Sequence, residues 1–206
     1  MERREEARRK ALSDLQEYGV LMLDGHFDYG NGFHGRVYLN AHELLKYPST
    51  IWRFAQDLID VIPPDLVQVT EVVAGPLTGG ALLAHTLAGL LDSRRSLVRP
   101  AYSFTPFNLD VRGDLILKPF YAQHVAGKHV LLADDVRNTG LTFKRCARLI
   151  EGAGGLVVAT AEIFDRMEAS EILPAPNFAL AEYRAPQNYP VTTCPMCHEG
   201  VPIARF

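Results

Sequence analysis

A run of apolar residues that ends in two adjacent aspartates is the feature that most constrains this chain. Residues 130–133 read VLLA, Asp134 and Asp135 follow, and the loop VRNTGLT (136–142) leads into a helical pattern over 143–153. A short run that is apolar at every position is typical of a strand buried on both faces of a sheet. Two adjacent carboxylates are costly to bury there, so we expect them to bind a ligand.

The same order of strand, glycine-containing loop and helix occurs earlier in the chain. Residues 66–74 (LVQVTEVVA) predict a strand, GPLTGG a loop and 81–91 a helix, and a further apolar strand is predicted over 156–164. Strands that alternate with helices of this length pair in parallel through crossover connections. The pattern therefore predicts an α/β fold with a central, mainly parallel sheet flanked by helices. Its ligand site is expected beyond the carboxyl ends of the strands.

The length of the chain limits its domain organisation. With 206 residues it needs no more than one domain, 1–206, because domains typically span ~100 to 200 residues. We expect an N-terminal helix and a small hood over about 1–45, a core over about 46–170 and a C-terminal segment over about 171–206. The irregular stretch 92–128 is interpreted as a cover for the site.

Composition and charge argue against several classes of protein. The chain has 21 Lys and Arg against 24 Asp and Glu, with a formal net charge of -3, so nucleic acid is not indicated as the main partner. No segment approaches the ~20 apolar residues of a membrane span, and the charged N-terminus lacks the apolar stretch of a secretory signal. Three cysteines do not make a disulfide framework in a chain of this size. We therefore expect a cytoplasmic protein that does not contact the membrane.

The loop after the aspartates is a candidate phosphate site. Between a strand and a helix, backbone N–H groups converge on one anion. The residues placed there are Asn138, Thr139, Gly140, Leu141 and Thr142. The alternative is that the second threonine only caps the helix and the glycine only makes a turn. The preceding carboxylates favour a phosphorylated sugar, because they can accept hydrogen bonds from vicinal hydroxyls or hold hydrated Mg²⁺.

Residues 130–142 resemble the phosphoribosyl-pyrophosphate (PRPP) binding motif of the type I phosphoribosyltransferases. The resemblance implies that fold, and transfer of the 5-phosphoribosyl group from PRPP to a nitrogenous base with release of pyrophosphate. It also implies that Asp134 and Asp135 are catalytic residues that hold the ribose and Mg²⁺, and that residues 137–142 bind the 5-phosphate. Arg137 stands where small residues are common, so we expect it either to add a cation near the phosphate or to lie at the surface.

The loop GPLTGG (75–80) is a second candidate anion site. Its glycines let the backbone approach an anion closely. In the resemblance this is the pyrophosphate loop, with Leu77, Thr78, Gly79 and Gly80 at the binding positions. Two cradles at one edge of a sheet fit a substrate that is phosphorylated at both ends.

Residues 25–40 (GHFDYGNGFHGRVYLN) resemble the N-terminal segment of the orotate phosphoribosyltransferases and their relatives. In that subfamily a glycine-centred turn and an aromatic-rich strand form part of the hood over the base. The resemblance implies that Phe33 and Tyr38 stack on the base, and the alternative is that they only pack within strands.

The subfamily's lysine-rich loop has no counterpart over residues 99–124. Lys118 is the first candidate for a catalytic cation there, and Arg99 is the second. The sequence leaves the base open, with orotate or a related pyrimidine favoured over a purine. The alternative function is that of a non-catalytic regulatory protein that senses PRPP. We expect a homodimer.

The C-terminal sequence CPMCH (194–198) offers two or three ligands to zinc, because Cys-x-x-Cys is a metal-chelating spacing. A closed zinc site needs four ligands, and the chain has no second Cys-x-x-Cys. The alternative is that Cys194 and Cys197 are a reduced, partly buried pair that closes the C-terminal segment or contributes to a subunit contact.

Overall fold

The computed structural model describes residues 2–30, 32–95, 101–168, 171–184 and 186–205. In addition to a short 3-10 helix, Val191–Thr193, the helices and strands are, in chain order, α1 (Glu2–Glu17), β1 (Leu21–Met22), β2 (Phe27–Asp28), β3 (Phe33–Gly35), β4 (Tyr38–Leu39), α2 (Ala41–Lys46), α3 (Pro48–Val61), α4 (Pro64–Val69), β5 (Val72–Pro76), α5 (Gly79–Arg95), β6 (Ser103–Leu109), β7 (Leu115–Ile116), α6 (Pro119–Val125), β8 (His129–Arg137), α7 (Leu141–Gly152), β9 (Leu156–Asp165), β10 (Asn177–Glu182), β11 (Tyr189–Pro190) and α8 (Pro195–His198).

The core is a six-stranded sheet in the order β10-β9-β8-β5-β6-β7. Its strands are parallel except for β7, which forms an antiparallel hairpin with β6. Strands β5 and β8 are neighbours, but the chain leaves them in opposite directions, through α5 to β6 and through α7 to β9. Such a change of direction opens a crevice at the carboxyl ends of the two strands. The predicted α/β fold with a mainly parallel, helix-flanked sheet is confirmed.

Helices cover both faces of the sheet. Helices α1, α3 and α5 pack together on one face, where Phe54, Leu58 and Leu87 are fully buried. Helix α7 covers the other face with Phe143 and Ile150. Each of these side chains contributes about 1.5–3 kcal/mol when it leaves water, so the two apolar layers hold the sheet edge in a fixed position.

The segment between α3 and β5 differs from the prediction. Residues 66–74 were predicted as one strand, but the chain first forms α4 and only then enters β5. Pro64 starts this helix at a position where its missing N–H leaves no hydrogen bond unmade. The valine-rich composition favours a strand. A short helix forms instead, because it starts at a proline and because Thr70 Oγ1 donates to the Leu66 carbonyl at 2.8 Å.

A small hood is built from both ends of the chain. Strands β1 and β4 pair with each other, and β2, β3 and β11 form a separate three-stranded antiparallel sheet. The C-terminal tail continues this assembly, because the amide of Ala204 donates to the His26 carbonyl (2.8 Å) and the amide of Asp28 donates to the Ala204 carbonyl (3.1 Å). Within the expected C-terminal segment, β10 therefore belongs to the core sheet, whereas β11 and the tail join the hood.

The stretch predicted to be irregular, 92–128, has regular structure in its described part. It contains the end of α5, the hairpin of β6 and β7, and α6. Asp110 closes the tip of the hairpin by accepting bonds from the amides of Arg112 (2.8 Å) and Asp114 (2.9 Å). None of the helices in the described residues is long and apolar enough to cross a bilayer.

Candidate active site

The two aspartates lie inside β8 and not beyond it, because the strand continues to Arg137 alongside β9. Asp134 is 8% exposed, and Asp135 is partly buried. The amide of Asp135 donates to Asp134 Oδ1 (3.0 Å), and the amide of Val136 donates to Asp135 Oδ1 (2.8 Å). These bonds fix both carboxylates at the crevice between β5 and β8.

The environment of the pair favours a cation or hydroxyl donors beside it. Burial, followed by the charge of Asp135, raises the pKa of Asp134 well above its usual value. A hard divalent cation that takes carboxylate oxygens, or two sugar hydroxyls that donate to them, offsets this repulsion. The donor set therefore fits the Mg²⁺ and ribose predicted for it.

The loop between β5 and α5 packs directly on the aspartates, and only glycine fits there. A Cβ on Gly79 would lie 2.0 Å from Asp135 Oδ2, and a Cβ on Gly80 would lie 2.7 Å from Asp134 Oδ1. The peptide bond between Leu77 and Thr78 is cis. The loop leads into the N-terminus of α5, where backbone N–H groups and the helix dipole attract an anion. This is the geometry expected of the predicted pyrophosphate loop.

The loop after β8 forms the second cradle. Gly140 precedes α7 with φ +80°, and a Cβ there would lie 2.5 Å from the Glu171 carbonyl oxygen, so glycine is required. The N-cap residue of α7 is Gly140, and Thr142 lies inside the first turn, so Thr142 is not the cap. The hydroxyl of Thr139 accepts a long hydrogen bond from the Leu141 amide (3.4 Å). Thr139, Leu141 and Thr142 are exposed, so an anion can approach the first turn of α7 from solvent.

A cavity of about 930 Å³ joins these features. The predicted residues that line it are Leu77, Thr78, Gly79, Asp134, Asp135 and Thr142. Leu109, Gly113 and Leu115 of the β6–β7 hairpin also line it, which agrees with the interpretation of this stretch as a cover. The structure therefore brings both carboxylates, most of the pyrophosphate loop and Thr142 of the second loop to a single space, whereas Gly80 and residues 139–141 line none of the three described cavities.

Arg137 lies neither beside the expected 5-phosphate site nor at the surface, the two positions considered for it. Its Nη1 donates to Asp165 Oδ2 at 3.0 Å, and its side chain is only 14% exposed. It lines a separate cavity of about 260 Å³. The surface interpretation is wrong, and the guanidinium is already paired with the last residue of the neighbouring strand.

Lys118 does not lie in the cavity where its predicted catalytic role would require it. The side chain is exposed at the start of α6 and lines neither the 930 Å³ cavity nor the other two described cavities. The reason is that the residues before it form the β6–β7 hairpin, and the strands of that hairpin occupy the edge of the cavity. Arg99 lies outside the described residues.

Two cations that the sequence reasoning missed line the 930 Å³ cavity instead. Arg145 follows Leu141 by one helical turn, so the periodicity of α7 could have identified it. Lys46 ends α2, where its Nζ lies 3.3 Å from Glu43 Oε2. Nothing in its local sequence indicates this position, because the packing of the hood region on the core determines it.

A second cavity of about 650 Å³ lies between the hood and the core. The predicted residues Phe33, Tyr38 and Asn138 line it, together with Tyr29 and Asn188. The rings of Tyr29 and Tyr38 are stacked, with centroids 6.5 Å apart. Asp135 lines this cavity as well as the larger one, so the two spaces meet at its carboxylate.

Arg166 lines the second cavity together with Glu168, its ion-pair partner. Its guanidinium lies 5.6 Å from the centroid of the Tyr29 ring, and its Nη2 donates to Glu168 Oε1 at 3.1 Å. Its Nε is buried and has no hydrogen-bond partner among the described residues. The sequence reasoning missed Arg166, although it directly follows β9, at the edge of the sheet where ligands were expected.

The fold and this site define a phosphoribosyltransferase. The family described as "Phosphoribosyl transferase domain" matches residues 51–173, more than half of the chain. The chain belongs to the type I phosphoribosyltransferases and is similar to their orotate branch. The resemblance found in the sequence is thereby confirmed, and the family implies PRPP and a nucleobase as substrates.

Individual relatives agree with this assignment. The chain is 31% identical over 170 residues to the orotate phosphoribosyltransferase of Novosphingobium aromaticivorans, covering 82% of this chain and 81% of that protein. It is 28% identical over 182 residues to that of Thermus thermophilus, covering 88% of this chain and 92% of that protein.

Solved structures show the same fold. The solved orotate phosphoribosyltransferase from Aeropyrum pernix has a TM-score of 0.63 at 21% identity, covering 82% of this chain and 92% of that one. The adenine phosphoribosyltransferase from Thermoanaerobacter pseudethanolicus has a TM-score of 0.64 at 16% identity, covering 84% and 99%. The last two comparisons show the fold alone.

Proposed function

We propose that this chain transfers the 5-phosphoribosyl group of PRPP to orotate and releases pyrophosphate. The observation that carries the proposal is the single cavity that Asp134 and Asp135 line together with the glycine loop after β5 and Thr142 at the start of α7. Orotate is favoured by the adjoining cavity, where the guanidinium of Arg166 lies beside aromatic walls. A planar base that carries a carboxylate matches this combination of ring faces and positive charge. The orotate activity named for the relatives supports the same choice.

Each part of PRPP has a proposed binding group. The carboxylates of Asp134 and Asp135 accept hydrogen bonds from the 2- and 3-hydroxyls of the ribose. The N-terminus of α7, with Thr139 and Thr142, binds the 5-phosphate, and the amides around Gly79 bind pyrophosphate. The aromatic rings of the hood contact the base.

In the reaction, the bond between C1 of the ribose and the pyrophosphate oxygen breaks, and a bond from the base nitrogen to C1 forms. Positive charge develops on the sugar, and the two carboxylates offset it. Negative charge develops on pyrophosphate, and the amides of the glycine loop stabilise it together with Lys46 and Arg145. Bound Mg²⁺ would neutralise part of the same charge. Asp135 lines both cavities and accepts the proton that the base nitrogen loses.

The test is an assay of pyrophosphate release with PRPP, Mg²⁺ and one base at a time. The panel contains orotate, uracil, adenine, hypoxanthine, guanine and xanthine. We expect release with orotate and little or none with the others, since the others lack a carboxylate for Arg166. Release with a purine alone would contradict the orotate assignment. PRPP binding without release from any base would support the PRPP-sensing alternative.

A further inference from the structure

Four side chains with metal-binding atoms meet between the hood and the C-terminal tail, away from both cavities. They are His26, His34, Cys194 and Cys197, and their donor atoms all lie within 4.8 Å of one another. Both histidines and Cys194 are buried, at 2%, 2% and 0% exposure. All three cysteines of the chain are free thiols. The tertiary fold thus supplies the two ligands that the Cys-x-x-Cys sequence lacks.

The distances fit a tetrahedral ion. His26 Nε2 lies 3.0 Å from His34 Nδ1, 3.6 Å from Cys194 Sγ and 3.7 Å from Cys197 Sγ. His34 Nδ1 lies 3.3 Å from Cys197 Sγ. Zinc bonds of ~2.0 Å to nitrogen and ~2.3 Å to sulfur place tetrahedral ligand atoms about 3.3–3.8 Å apart. These four separations are close to the tetrahedral values, and all four donor atoms lie within 4.8 Å of one another, so an ion fits once the widest pair moves closer.

The outer nitrogens of the two imidazoles identify which atoms face the centre. His26 Nδ1 lies 2.9 Å from the Val201 carbonyl oxygen, and His34 Nε2 lies 3.9 Å from Asp28 Oδ1. Histidines that bind metals direct their other ring N–H at a carbonyl or carboxylate in this way. The two inner nitrogens, His26 Nε2 and His34 Nδ1, lie 3.0 Å apart. When each ring carries its proton on the outer nitrogen, both inner nitrogens have a lone pair available for a cation.

We propose that these four side chains bind one zinc ion with a structural role. Two thiols and two imidazoles are the ligand set that zinc prefers, and four protein ligands leave no open position for a substrate. On binding, each thiol gives its proton to solvent and becomes a thiolate, so the two negative charges balance Zn²⁺. This set differs from the oxygen ligands of Asp134 and Asp135, which suit Mg²⁺.

The ion ties the C-terminal tail to the strands that carry the base pocket. His34 lies in β3 next to Phe33, which lines the 650 Å³ cavity, and β3 pairs with β11. Cys194 and Cys197 follow β11 after the short 3-10 helix Val191–Thr193. Zinc therefore fixes the position of the hood wall relative to the C-terminal tail. This consequence for base binding rests on the proposed function, whereas the metal site itself does not.

The test measures metal content and the spectrum of a cobalt substitute. We expect about one zinc per chain in the full-length protein after dialysis against Mg²⁺, because four ligands close the site. Replacement by Co²⁺ is expected to give the intense visible bands of a tetrahedral site and the near-ultraviolet band of thiolate coordination. Cys197→Ser and His34→Gln are expected to lose the ion and these bands. His198→Ala is the matched control and is expected to keep both, since that exposed side chain lies outside the cluster.

Several results would overturn the proposal. The first is a wild-type protein that binds neither zinc nor cobalt, and the second is a disulfide between Cys194 and Cys197 found by mass spectrometry under non-reducing conditions. Loss of metal from His198→Ala equal to that from His34→Gln would also contradict it. The wild-type spectrum does not depend on whether any variant folds. Metal content is read without PRPP or a base, so its failure is distinct from failure of the transferase proposal.

Discussion

The crevice around Asp134 and Asp135 and the cluster of histidines and cysteines in the hood are two sites assembled in different ways. In the crevice, the carboxylates are consecutive in the chain, and the loops around them connect neighbouring strands of one sheet. In the hood, His26 and Cys194 are 168 positions apart, and they meet only because β11 and the tail pair with β2 and β3. A site built from one continuous segment is visible in the sequence, whereas one built from distant segments depends on the fold.

The two sites also differ in chemistry and access. The crevice offers carboxylate oxygens in an open space of about 930 Å³, which suits a cation that enters and leaves with substrate. The hood cluster offers nitrogen and sulfur in a largely buried position, which suits a cation that stays.

The largest effect is expected from replacing both carboxylates, Asp134→Asn with Asp135→Asn. Turnover should fall by at least about 10³-fold, because the ribose ligands and the charge that offsets the transition state are removed together. The free energy of unfolding should stay the same or rise, since the variant removes a buried carboxylate and its partly buried neighbour, which repel each other. Pyrophosphate release and thermal unfolding check the two statements. The matched control is Asp65→Asn, an exposed carboxylate on α4. Wild-type turnover in the double variant would refute the assigned role.

The features that could be predicted from the sequence are those built from one continuous segment, and the features that could not are those built from distant segments. The strand with two aspartates, both glycine loops and the order of the core elements were predictable, because each is encoded by adjacent residues with a fixed periodicity. The short helix α4 was missed because its valines favour a strand, although the proline at its start favours a helix. Lys46 and Arg166 reach the cavities through the packing of separate segments. No local pattern relates His26 and His34 to the cysteines near the C-terminus.

Removal of zinc is expected to have the next largest effect, and to act on stability more than on the crevice. A strong zinc chelator should lower the unfolding midpoint by roughly 10 °C, because a structural ion adds several kcal/mol and each kcal/mol is worth ~2–4 °C at this chain length. Hydrogen exchange should increase mainly in β2, β3 and β11. Magnesium depletion should abolish turnover and leave the midpoint unchanged. Equal effects of both treatments on stability would contradict the distinction between the sites.

Arg166→Gln tests how the hood cavity selects a base. We expect KM for orotate to rise by about 10–100-fold, because a charge-assisted contact worth ~1.5–3 kcal/mol is lost, while the affinity for PRPP changes little. Steady-state kinetics with each substrate varied in turn separate the two effects. Arg148→Gln is the matched control, an exposed arginine on α7. If KM for PRPP rose as much as KM for orotate, Arg166 would have to contact the phosphates of PRPP and not only the base.

Arg145→Gln, set beside Lys118→Ala, tests whether the cation that lines the crevice matters more than the one predicted from the sequence. We expect its kcat/KM for PRPP to fall by about 10-fold, since one positive charge near the phosphates is lost. Lys118→Ala should have a smaller effect, because that side chain is exposed outside the cavity. A larger loss in Lys118→Ala than in Arg145→Gln would restore the sequence-based assignment and would require the hairpin to move during catalysis.

The effect expected to be smallest at neutral turnover, and visible only as a change of stability with pH, concerns Glu162, a fully buried carboxyl that lies on β9 opposite Asp134. Burial raises its pKa to about 8, although the Asn177 side-chain amide donates to its Oε1 at 2.7 Å. The folded state therefore keeps the proton at neutral pH, whereas the unfolded state loses it above its ordinary pKa of 4.5. The stabilisation is fully present below that lower pKa and is lost as pH rises through the higher one, at up to about 1.4 kcal/mol per pH unit.

Glu162→Gln imitates the neutral acid and should remove this pH dependence. Its free energy of unfolding should match that of the wild type near pH 4.5 and exceed it increasingly toward pH 8, with Glu151→Gln as the exposed control. Denaturant titrations across this range measure the difference. A constant difference would mean that Glu162 is ionised in the folded protein. The crevice would then contain a third charge beside the aspartate pair, and the repulsion that favours a cation at Asp134 would be stronger.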